Sequence, residues 1–512
     1  MNLQSFNAAI QAGQFPLEFP GHWLAGQWKQ DKRGQSINGS SNPSRGTKLI
    51  DVNISVPLIH EAIGSAEAAQ QTLAAMSLDE RLQILYKFKS VVADFQEEII
   101  RVLRVEAGKP QWEAKADFDS TFQKLEDVLH AKEQIHTALV APFGIATRLD
   151  GIRLQPVGVT MAFLPFSTPF ATMAQTFAAA MISGCPIVVM SSSHATLAGI
   201  LFSLMFEKIE ELPHGAVNML FGNYKSFIKA LQDKRIKAVI YSGSREHCDA
   251  IRAENVNNLT RQLILQSGGK NSVIVDESAD LSEAVRCSLF GVIKAAGQLN
   301  SSTSRIFVPK SMLSEFTDQM EHAVREMQIG PTDGDSDPLM GPLYSQKAVD
   351  KFLRFQTMAK RESAETLVWG KALDCGSDGH FVSPGLHVFA EFDPDSSYQS
   401  NVFMCPDMVV YPYERMEDAV CWANSTSAPY VTALLGAEEA FQPYLPSLIS
   451  PNILHNLPTV GVDLLLPVAG RNLCGGHRLN GVGIAMLLTY PQALQGSGEL
   501  RERFKLWPSL PS

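Results

Sequence analysis

Apolar residues between positions 56 and 136 recur every three or four residues, the spacing that places them on one face of an α-helix. Two such sets stand out: Ala62, Ile63, Ala66, Ala69 and Leu73, and then Leu82, Leu85, Phe88, Val91 and Val92. The second set follows Ser77-Leu78-Asp79-Glu80, where a serine and an acidic residue three positions later form a capping-box pattern. This part of the chain is therefore predicted to be helical.

The pattern changes to alternation of apolar and polar residues between positions 142 and 163. Two alternating runs, Ile145–Leu149 and Ile152–Leu154, flank Asp150-Gly151. An Asp-Gly pair between alternating runs is typical of a two-residue β-hairpin turn. We therefore predict a hairpin over residues 142–158.

Short apolar runs then alternate with helix-like segments from residue 159 to residue 276. Five of these runs are predicted to be buried strands: Val159 to Phe163, Pro186 to Met190, Ala216 to Leu220, Ala238 to Tyr241 and Asn271 to Val275. Such alternation predicts a parallel sheet covered by helices on both faces. A further α/β stretch from residue 277 to about 465 has its own apolar runs and turn residues.

No membrane-spanning segment is predicted. The most apolar long stretch, residues 171–190, is interrupted by Gln175, Ser183 and Pro186. A membrane helix needs about 20 predominantly apolar residues, so this stretch is interpreted as a helix, a turn and a strand. The first residues contain no basic region followed by an apolar core, and no secretion signal is expected.

Composition narrows the class of protein further. The chain has 512 residues, is 45% apolar and 19% charged, and carries a net charge of -10, which suggests roughly two to four soluble domains. The chain has no basic patch interleaved with aromatic residues, so nucleic acid is not expected as a partner. Seven cysteines are scattered singly without a C-x-x-C, which argues against a disulfide framework or a zinc ribbon. Reduced thiols and a cytoplasmic location are expected.

Several ordered motifs resemble the aldehyde dehydrogenase superfamily over nearly the whole chain. The most informative is Gly297 to Arg305, which is similar to the family segment G-Q-x-C-x-[AS]-x-[ST]-R. The other matching segments are Gly26-Gln27-Trp28, Asn42 to Gly46, Glu106 to Pro110, Pro156 to Val159, Pro165 to Phe170, Leu212 to Asn218, Tyr241 to Ser244, Gln266 to Asn271, Gly341-Pro342-Leu343 and Asn401-Val402-Phe403. Their order and spacing predict an aldehyde-dehydrogenase-like α/β fold.

The resemblance places amides and a serine where the family has its catalytic groups. Asn300 stands at the position of the nucleophilic cysteine, and an amide nitrogen has no thiolate-like reactivity. Gln266 stands at the position of the general base and cannot take a proton from water at neutral pH. Ser167 stands at the position of the oxyanion-hole asparagine and reaches less far. A shift in the alignment of this segment does not bring a cysteine to the nucleophile position, because the nearest cysteine, Cys287, lies in the preceding helical run.

The positions that hold the cofactor in the family also differ. Met190 and Ser193 replace the lysine and glutamate that grip the adenosine ribose, and Asn401 replaces the glutamate that holds the nicotinamide ribose. Phe403 of the same motif is retained. Gly243-Ser244, at a strand-to-helix junction, presents amides that suit a phosphate. These positions predict no binding or only weak binding of NAD(P).

Other candidate catalytic groups have little support. Ser301 and Ser302 lack a G-x-S-x-G elbow, and Ser226 to Lys229 matches S-x-x-K, a pattern that is common by chance on helices. His477 lies in a Gly-rich segment and is interpreted as a solvated loop residue. The sequence contains no H-E-x-x-H, and no metal site is predicted.

Three units are predicted from the resemblance. Residues 1–141 and 159–267 form a doubly wound NAD(P)-binding-type domain, and residues 268–465 form a second, catalytic-type α/β domain. Residues 142–158 and 483–512 form an oligomerisation arm and tail, in which the apolar segment from Gly483 to Tyr490 is expected to be a strand that completes a partner's sheet.

Two functions remain open from the sequence. The first is a pseudoenzyme that acts as a scaffold or regulatory subunit, forms a homo-dimer or tetramer, and has a protein partner. The second is a divergent NAD(P)-dependent aldehyde oxidoreductase that uses a mechanism without cysteine.

Overall fold

The computed structural model describes residues 2–130, 151–462, 468–475 and 481–494. The α-helices in these ranges are α1 (Leu3–Gln11), α2 (Val56–Ala75), α3 (Leu78–Asp94), α4 (Gln96–Ala107), α5 (Gln111–His130), α6 (Pro169–Ser183), α7 (Thr196–Phe206), α8 (Tyr224–Ala230), α9 (Arg245–Glu254), α10 (Leu281–Ile293), α11 (Leu313–Arg325), α12 (Gln346–Arg361), α13 (Ser397–Ser400), α14 (Met416–Asn424), α15 (Glu438–Phe441) and α16 (Gly481–Leu487). None of these helices is long and apolar enough to cross a membrane.

The strands in the described ranges pair into two large sheets and three small ones. They are β1 (His22–Leu24), β2 (Gln27–Lys29), β3 (Gln35–Asn38), β4 (Ser41–Asn42), β5 (Thr47–Lys48), β6 (Asp51–Ile54), β7 (Gly151–Pro156), β8 (Thr160–Leu164), β9 (Ile187–Ser191), β10 (Val217–Phe221), β11 (Ala238–Gly243), β12 (Gln262–Ser267), β13 (Asn271–Val275), β14 (Thr303–Pro309), β15 (Glu365–Val368), β16 (Gly385–Val388), β17 (Asp407–Tyr413), β18 (Val431–Leu435), β19 (Asn452–His455) and β20 (Thr489–Leu494). The small sheets are β3-β6, β4-β5 and β7-β20.

The first large sheet has the order β12-β11-β8-β9-β10-β1-β2. Strands β12 through β10 are parallel, and β1 and β2 add an antiparallel edge. The chain proceeds from β8 outward through β9 and β10, and then returns to the other side of β8 to form β11 and β12. The order of the strands therefore reverses between β8 and β11, and ligands of open α/β sheets bind outside the carboxyl ends of the strands at such a switch point.

Helices cover both faces of this sheet, so its strands are buried on both sides. Along β8, Ala162 and Leu164 face one core with α3 to α7, whereas Met161 and Phe163 face a second core with α2, α8 and α9. Successive side chains of a strand point to opposite faces, which explains the continuous apolar runs in the sequence. The predicted doubly wound fold is confirmed.

The second large sheet has the order β15-β16-β17-β14-β13-β18-β19 and is parallel except for β15. Its core is formed with α10, α11, α12 and α14. Strand β13 belongs to this sheet, although the alternation in the sequence had placed Asn271 to Val275 in one series with the strands of the first. The predicted domain boundaries themselves stay a prediction.

Local sequence signals agree with the structure in the helical N-terminal region. Ser77 caps α3, and Ser77 and Glu80 hydrogen-bond to each other's backbone in the predicted capping box. The predicted strands at 159–163, 186–190, 216–220 and 238–241 are β8 to β11 within two residues. Strand β12 was not predicted.

The prediction of a strand from Gly483 to Tyr490 is wrong for most of that segment. Residues 481–487 form the helix α16, whose Ile484 and Ala485 enter the core beside the first sheet. The strand begins only at Thr489, and this strand, β20, pairs antiparallel with β7 of the same chain. Of the predicted hairpin, residues 142–150 lie outside the described residues, whereas residues 151–156 form β7.

His22 ties the antiparallel edge of the first sheet to its neighbours. Its Nε2 lies 3.0 Å from the Asn53 carbonyl oxygen, and its Nδ1 accepts a hydrogen bond from the Phe221 amide at 3.1 Å. Only the neutral ring can donate at one nitrogen while it accepts at the other. Burial accordingly lowers the pKa of His22 to about 4.

We expect His22 to make the stability of the protein depend on pH. Its pKa in the folded state lies below the ordinary value of 6.5, so the unfolded chain takes up the proton first as the pH falls from 6.5 towards 4. Stability is thus lost over this window, by about 2–3 kcal/mol. When the free energy of unfolding is measured by urea denaturation at several pH values between about 7 and about 4.5, it should fall less steeply in His22→Gln than in the wild type. His130→Gln, at the exposed end of α5, is the control, and equal slopes for wild type and His22→Gln would contradict the assignment.

Candidate functional site

Asn300 follows a tight left-handed turn that connects α10 to β14. Lys294–Gly297 form a 3-10 turn in which φ is 53° at Ala295, 50° at Ala296 and 70° at Gly297. A Cβ atom at Gly297 would collide with the backbone of Cys405, so only glycine fits there. Left-handed alanines cost about 1–2 kcal/mol each, and the surroundings must hold them in place.

Gln298 and Glu113 hold this turn. The Gln298 side chain donates to the Ala295 carbonyl oxygen at 2.9 Å and accepts from the Tyr344 amide at 2.9 Å. Glu113, on α5, accepts from the Ala295 amide at 3.1 Å. These three contacts determine where the chain leaves the turn and therefore where Asn300 lies.

An ionic cluster of Lys109, Glu113, Asp117 and Lys294 lies next to the same turn. The Lys109 ammonium pairs with Glu113 at 3.2 Å and with Asp117, and Lys294 pairs with Asp117 at 3.4 Å. Burial would raise the pKa of the Asp117 carboxyl, but the two ammonium groups outweigh burial and the pKa is lowered. Asp117 is thus held as a carboxylate between two cations.

Asn300 and Gln266 line one cavity of about 480 Å³. The Asn300 carbonyl oxygen accepts from the Gly269 amide and from the Asn271 side chain, both at 3.0 Å. Gln266, near the end of β12, is buried, and its side-chain amide donates to the Tyr430 hydroxyl. The cavity thus lies at the carboxyl ends of β11 and β12, next to the switch point of the first sheet.

Ser167 does not line this cavity, but its neighbour Thr168 does. Of the predicted cofactor positions, Met190, Ser193, Gly243, Ser244, Asn401 and Phe403, none is among the lining residues in the described part of the chain. The structure therefore brings together two of the three predicted catalytic positions and places the cofactor positions elsewhere.

Met190, at the end of β9, is buried, and its sulfur accepts a hydrogen bond from the Ser226 hydroxyl at 3.4 Å. Ser226 in turn closes a capping box with Asn223 at the start of α8. The S-x-x-K match is therefore explained by helix capping. Ser193 lies half-buried in the turn that follows β9 and brings no charge to it.

The remaining cofactor positions have structural partners. The Asn401 side chain donates to the Ser397 carbonyl oxygen at 2.7 Å and closes the short helix α13. The Phe403 ring packs against Phe355, with centroids 3.5 Å apart, in the core of the second sheet. Ser244 caps α9, and its hydroxyl accepts from the His247 amide at 3.3 Å.

Two polar helix faces of the cavity were missed by sequence reasoning. One face of α5 and one face of α6 with its N-cap supply these residues: Asp117, Ser120, Thr121 and Lys124, and Thr168, Thr172, Gln175 and Thr176. The polar residues of α6 recur at helical spacing within an otherwise buried, apolar helix. This polar stripe is the sequence pattern that could have indicated the cavity wall. Tyr430 and Lys294, which also line the cavity, carry no motif that would have indicated them.

No cysteine lies among the described residues that line the cavity. All seven cysteines are described, and all are free thiols. Cys474 is buried with its thiol 3.4 Å from the Gly268 carbonyl oxygen, and burial raises the pKa of this thiol to about 12. Cys405 is also buried, and burial raises the pKa of its thiol well above the ordinary value. Neither thiol is accessible, and in both burial outweighs the nearby cations, so neither has the character of a reactive cysteine.

A doubly wound sheet, a second, mostly parallel sheet and a polar cavity at the switch point define an α/β protein with two large sheets and a candidate ligand site. The aldehyde dehydrogenase family model matches residues 28–493, and the chain belongs to that family.

Individual relatives agree with this assignment. An N-succinylglutamate 5-semialdehyde dehydrogenase of Legionella pneumophila (strain Corby) is 26% identical over 482 residues, 93% of this chain and 95% of that protein. A mitochondrial succinate-semialdehyde dehydrogenase of Oryza sativa subsp. japonica is 26% identical over 407 residues, 79% of this chain and 76% of that protein. The structure of lactaldehyde dehydrogenase from Escherichia coli matches with a TM-score of 0.86 at 22% identity, covering 94% of this chain and 99% of that one. The fold is therefore that of the family.

Proposed function

We propose that this chain is an aldehyde-dehydrogenase-fold protein that does not carry out cysteine-dependent aldehyde oxidation and serves as a scaffold or regulatory subunit. The observation that carries the proposal is the presence of Asn300 and Gln266 in one cavity that no described cysteine lines. Covalent oxidation needs a nucleophile that attacks the aldehyde and a base that activates water for release of the acid. The side-chain amide of Asn300 is not such a nucleophile, and the side-chain amide of Gln266 is not such a base.

The relatives are named as dehydrogenases, so turnover is the decisive measurement. We expect no NAD(P)-dependent oxidation of small aliphatic or aromatic aldehydes above a control without protein. Asn300→Cys/Gln266→Glu restores both reacting groups and is the informative variant. In that variant, the introduced thiol should react with iodoacetamide faster than the four buried native thiols because it opens on the cavity.

Thiol-sensitive turnover by the wild-type protein would refute the proposal. Turnover that resists thiol reagents would instead favour the alternative, a divergent NAD(P)-dependent aldehyde oxidoreductase with a mechanism that does not use cysteine. Asn300→Ala separates this alternative from contamination, since a genuine activity in this cavity should respond to the change.

Weak cofactor binding is a second part of the proposal. Met190 brings no charge to the end of β9, and the Asn401 amide is already used within α13. Charge-assisted hydrogen bonds contribute roughly 1.5–3 kcal/mol each, so their loss should leave NAD and NADP with millimolar or no affinity. The Arg245 guanidinium pairs with Asp249 at 3.3 Å, and this pairing competes with any 2′-phosphate.

Calorimetric titration of NAD and NADP tests the affinity. Met190→Lys/Ser193→Glu should tighten binding at least about tenfold, since one charge-assisted contact suffices for that change. Met190→Leu/Ser193→Ala changes the same positions without charge and should have no effect. A micromolar dissociation constant for wild-type protein and NADP would contradict this part of the proposal.

The third part of the proposal is a homo-oligomer, a dimer or tetramer, assembled through the β7-β20 sheet. A two-stranded sheet is marginal alone, and Tyr490 on β20 is 51% exposed. Ile484, Ala485 and Leu488 belong to the core, so a cut after Gly483 would disturb folding rather than test an interface. The informative cut lies after Leu488, because it removes β20 and leaves the core intact.

A chain that ends at Leu488 should be folded and monomeric by light scattering. The matched control ends at Leu494, keeps β20 and should remain oligomeric. A monomeric wild-type protein would remove the support for an interface at this sheet.

A further inference from the structure

The cavity walls carry hydrogen-bonding groups that no other described residue uses. Within the described residues, the side-chain amides of Asn300 and Gln175 have no hydrogen-bond partner, and neither does the Ser301 hydroxyl. Asn300 and Gln175 are half-buried, and both line the open cavity together with Ser301. These groups therefore provide donors and acceptors for a polar guest.

Lys294 adds a positive charge to the same wall. Its ammonium lies 3.4 Å from one Asp117 oxygen, while the other Asp117 oxygen takes a shorter contact from Lys109. Charge-assisted hydrogen bonds are usually about 2.7–2.9 Å long, and an ammonium has three N–H donors. Lys294 is thus the loosely held cation of the cluster, and it keeps donor capacity towards the cavity.

Apolar side chains complete the lining. They are contributed by α10, by the segment that leads into Asn300, by the loop after β19 and by α16: Phe290, Leu299, Val460, Val462, Val468 and Ile484. A guest with a short hydrocarbon chain can pack against these groups, whereas a fully polar guest cannot.

We propose that the cavity binds a small aliphatic dicarboxylate without covalent attachment. One carboxylate is held by the Lys294 ammonium, and the other accepts hydrogen bonds from the Asn300 side-chain amide and the Ser301 hydroxyl. The methylene chain packs on the apolar lining. The inference rests on the proposed function in one respect, namely that Asn300 binds its ligand instead of attacking it.

Titration calorimetry with succinate, glutarate and adipate tests the ligand class. At least one of the three should bind about tenfold tighter than butyrate, glutaramide or pentane-1,5-diol, which lack one or both charges. Raising NaCl from about 50 mM to about 500 mM should weaken dicarboxylate binding and leave any diol binding unchanged.

Variants locate the binding site. Lys294→Met should weaken dicarboxylate binding at least about tenfold, and Lys294→Arg should retain most of it. Lys310→Met removes an exposed lysine that pairs with Glu414 and should change nothing. Asn300→Ala, which leaves the ionic cluster intact, gives a second readout if Lys294→Met fails to fold.

The proposal is overturned if none of the dicarboxylates binds below about 10 mM, if glutaramide binds equally well, or if both Lys294→Met and Asn300→Ala keep wild-type affinity. Turnover is scored separately. If the protein oxidises an aldehyde and also binds glutarate, only the proposed lack of catalytic activity is refuted. If it neither oxidises aldehydes nor binds a dicarboxylate, only the proposed ligand class is refuted.

Discussion

The buried pairing of Lys109 with Glu113 and Asp117 is the interaction on which the candidate site depends. The Lys109 side chain is only 2% exposed, so its charge has no water to solvate it. Burial would lower the pKa of Lys109, but the two carboxylates outweigh burial and raise it. A buried ion pair often adds little net stability, yet breaking one leaves an uncompensated charge that costs about 3–5 kcal/mol. The cluster therefore acts as a geometric constraint more than as a source of stability.

That constraint reaches the site through two atoms. Glu113 uses its second oxygen to hold the Ala295 amide, and Asp117 uses its second oxygen to hold Lys294. Helix α5 belongs to the core of the first sheet, whereas the turn at 294–297 precedes the first residues of β14 in the second sheet. The cluster thus connects the two sheets beside the cavity that Asn300 and Gln266 line, and the strained alanines of the turn persist because both sides are held.

This arrangement explains why the motif around Asn300 remains recognisable without its cysteine. Gly297 is required by the close approach of Cys405, and Gln298 bridges the turn to Tyr344. Arg305 is fully buried and donates to the carbonyl oxygens of Lys270 and Ala423. These residues stabilise the fold, whereas Asn300 contributes to it through its backbone carbonyl oxygen and not through its side chain, which lines the cavity. A change of the side chain at position 300 should therefore cost little stability.

Sequence patterns predicted the fold well because they record burial. Runs such as Val159 to Phe163 are apolar on both faces since helices cover both faces, and the capping box at Ser77 is local. Prediction was wrong for Ile484 to Leu488, because a short apolar segment satisfies a helix or a strand equally well and packing against α6 decides. Strand β12 was missed because Gln262 and Gln266 interrupt its apolar run.

Motifs located Asn300 and Gln266, but no spacing in the sequence relates Gln266 to Tyr430, which lies 164 residues further on. The contacts that connect the ionic cluster to the site were equally out of reach, since Asp117–Lys294 and Glu113–Ala295 run between α5 and the turn before Asn300.

The two substitutions also agree with each other in electrostatic terms. A glutamate at position 266 would place a negative charge in a cavity whose other described carboxylate, Asp117, is already engaged by Lys109 and Lys294. Like charges a few ångströms apart in partly buried surroundings repel by about 4 kcal/mol, a cost that any anionic guest would meet. Gln266 keeps the shape of glutamate and its contact to Tyr430 without that repulsion. With Asn300 neutral as well, Asp117 is the one carboxylate among the described lining residues, beside Lys124 and Lys294. Under the proposed function, the same two residues that leave the cavity without a nucleophile and a base also favour retention of an acid.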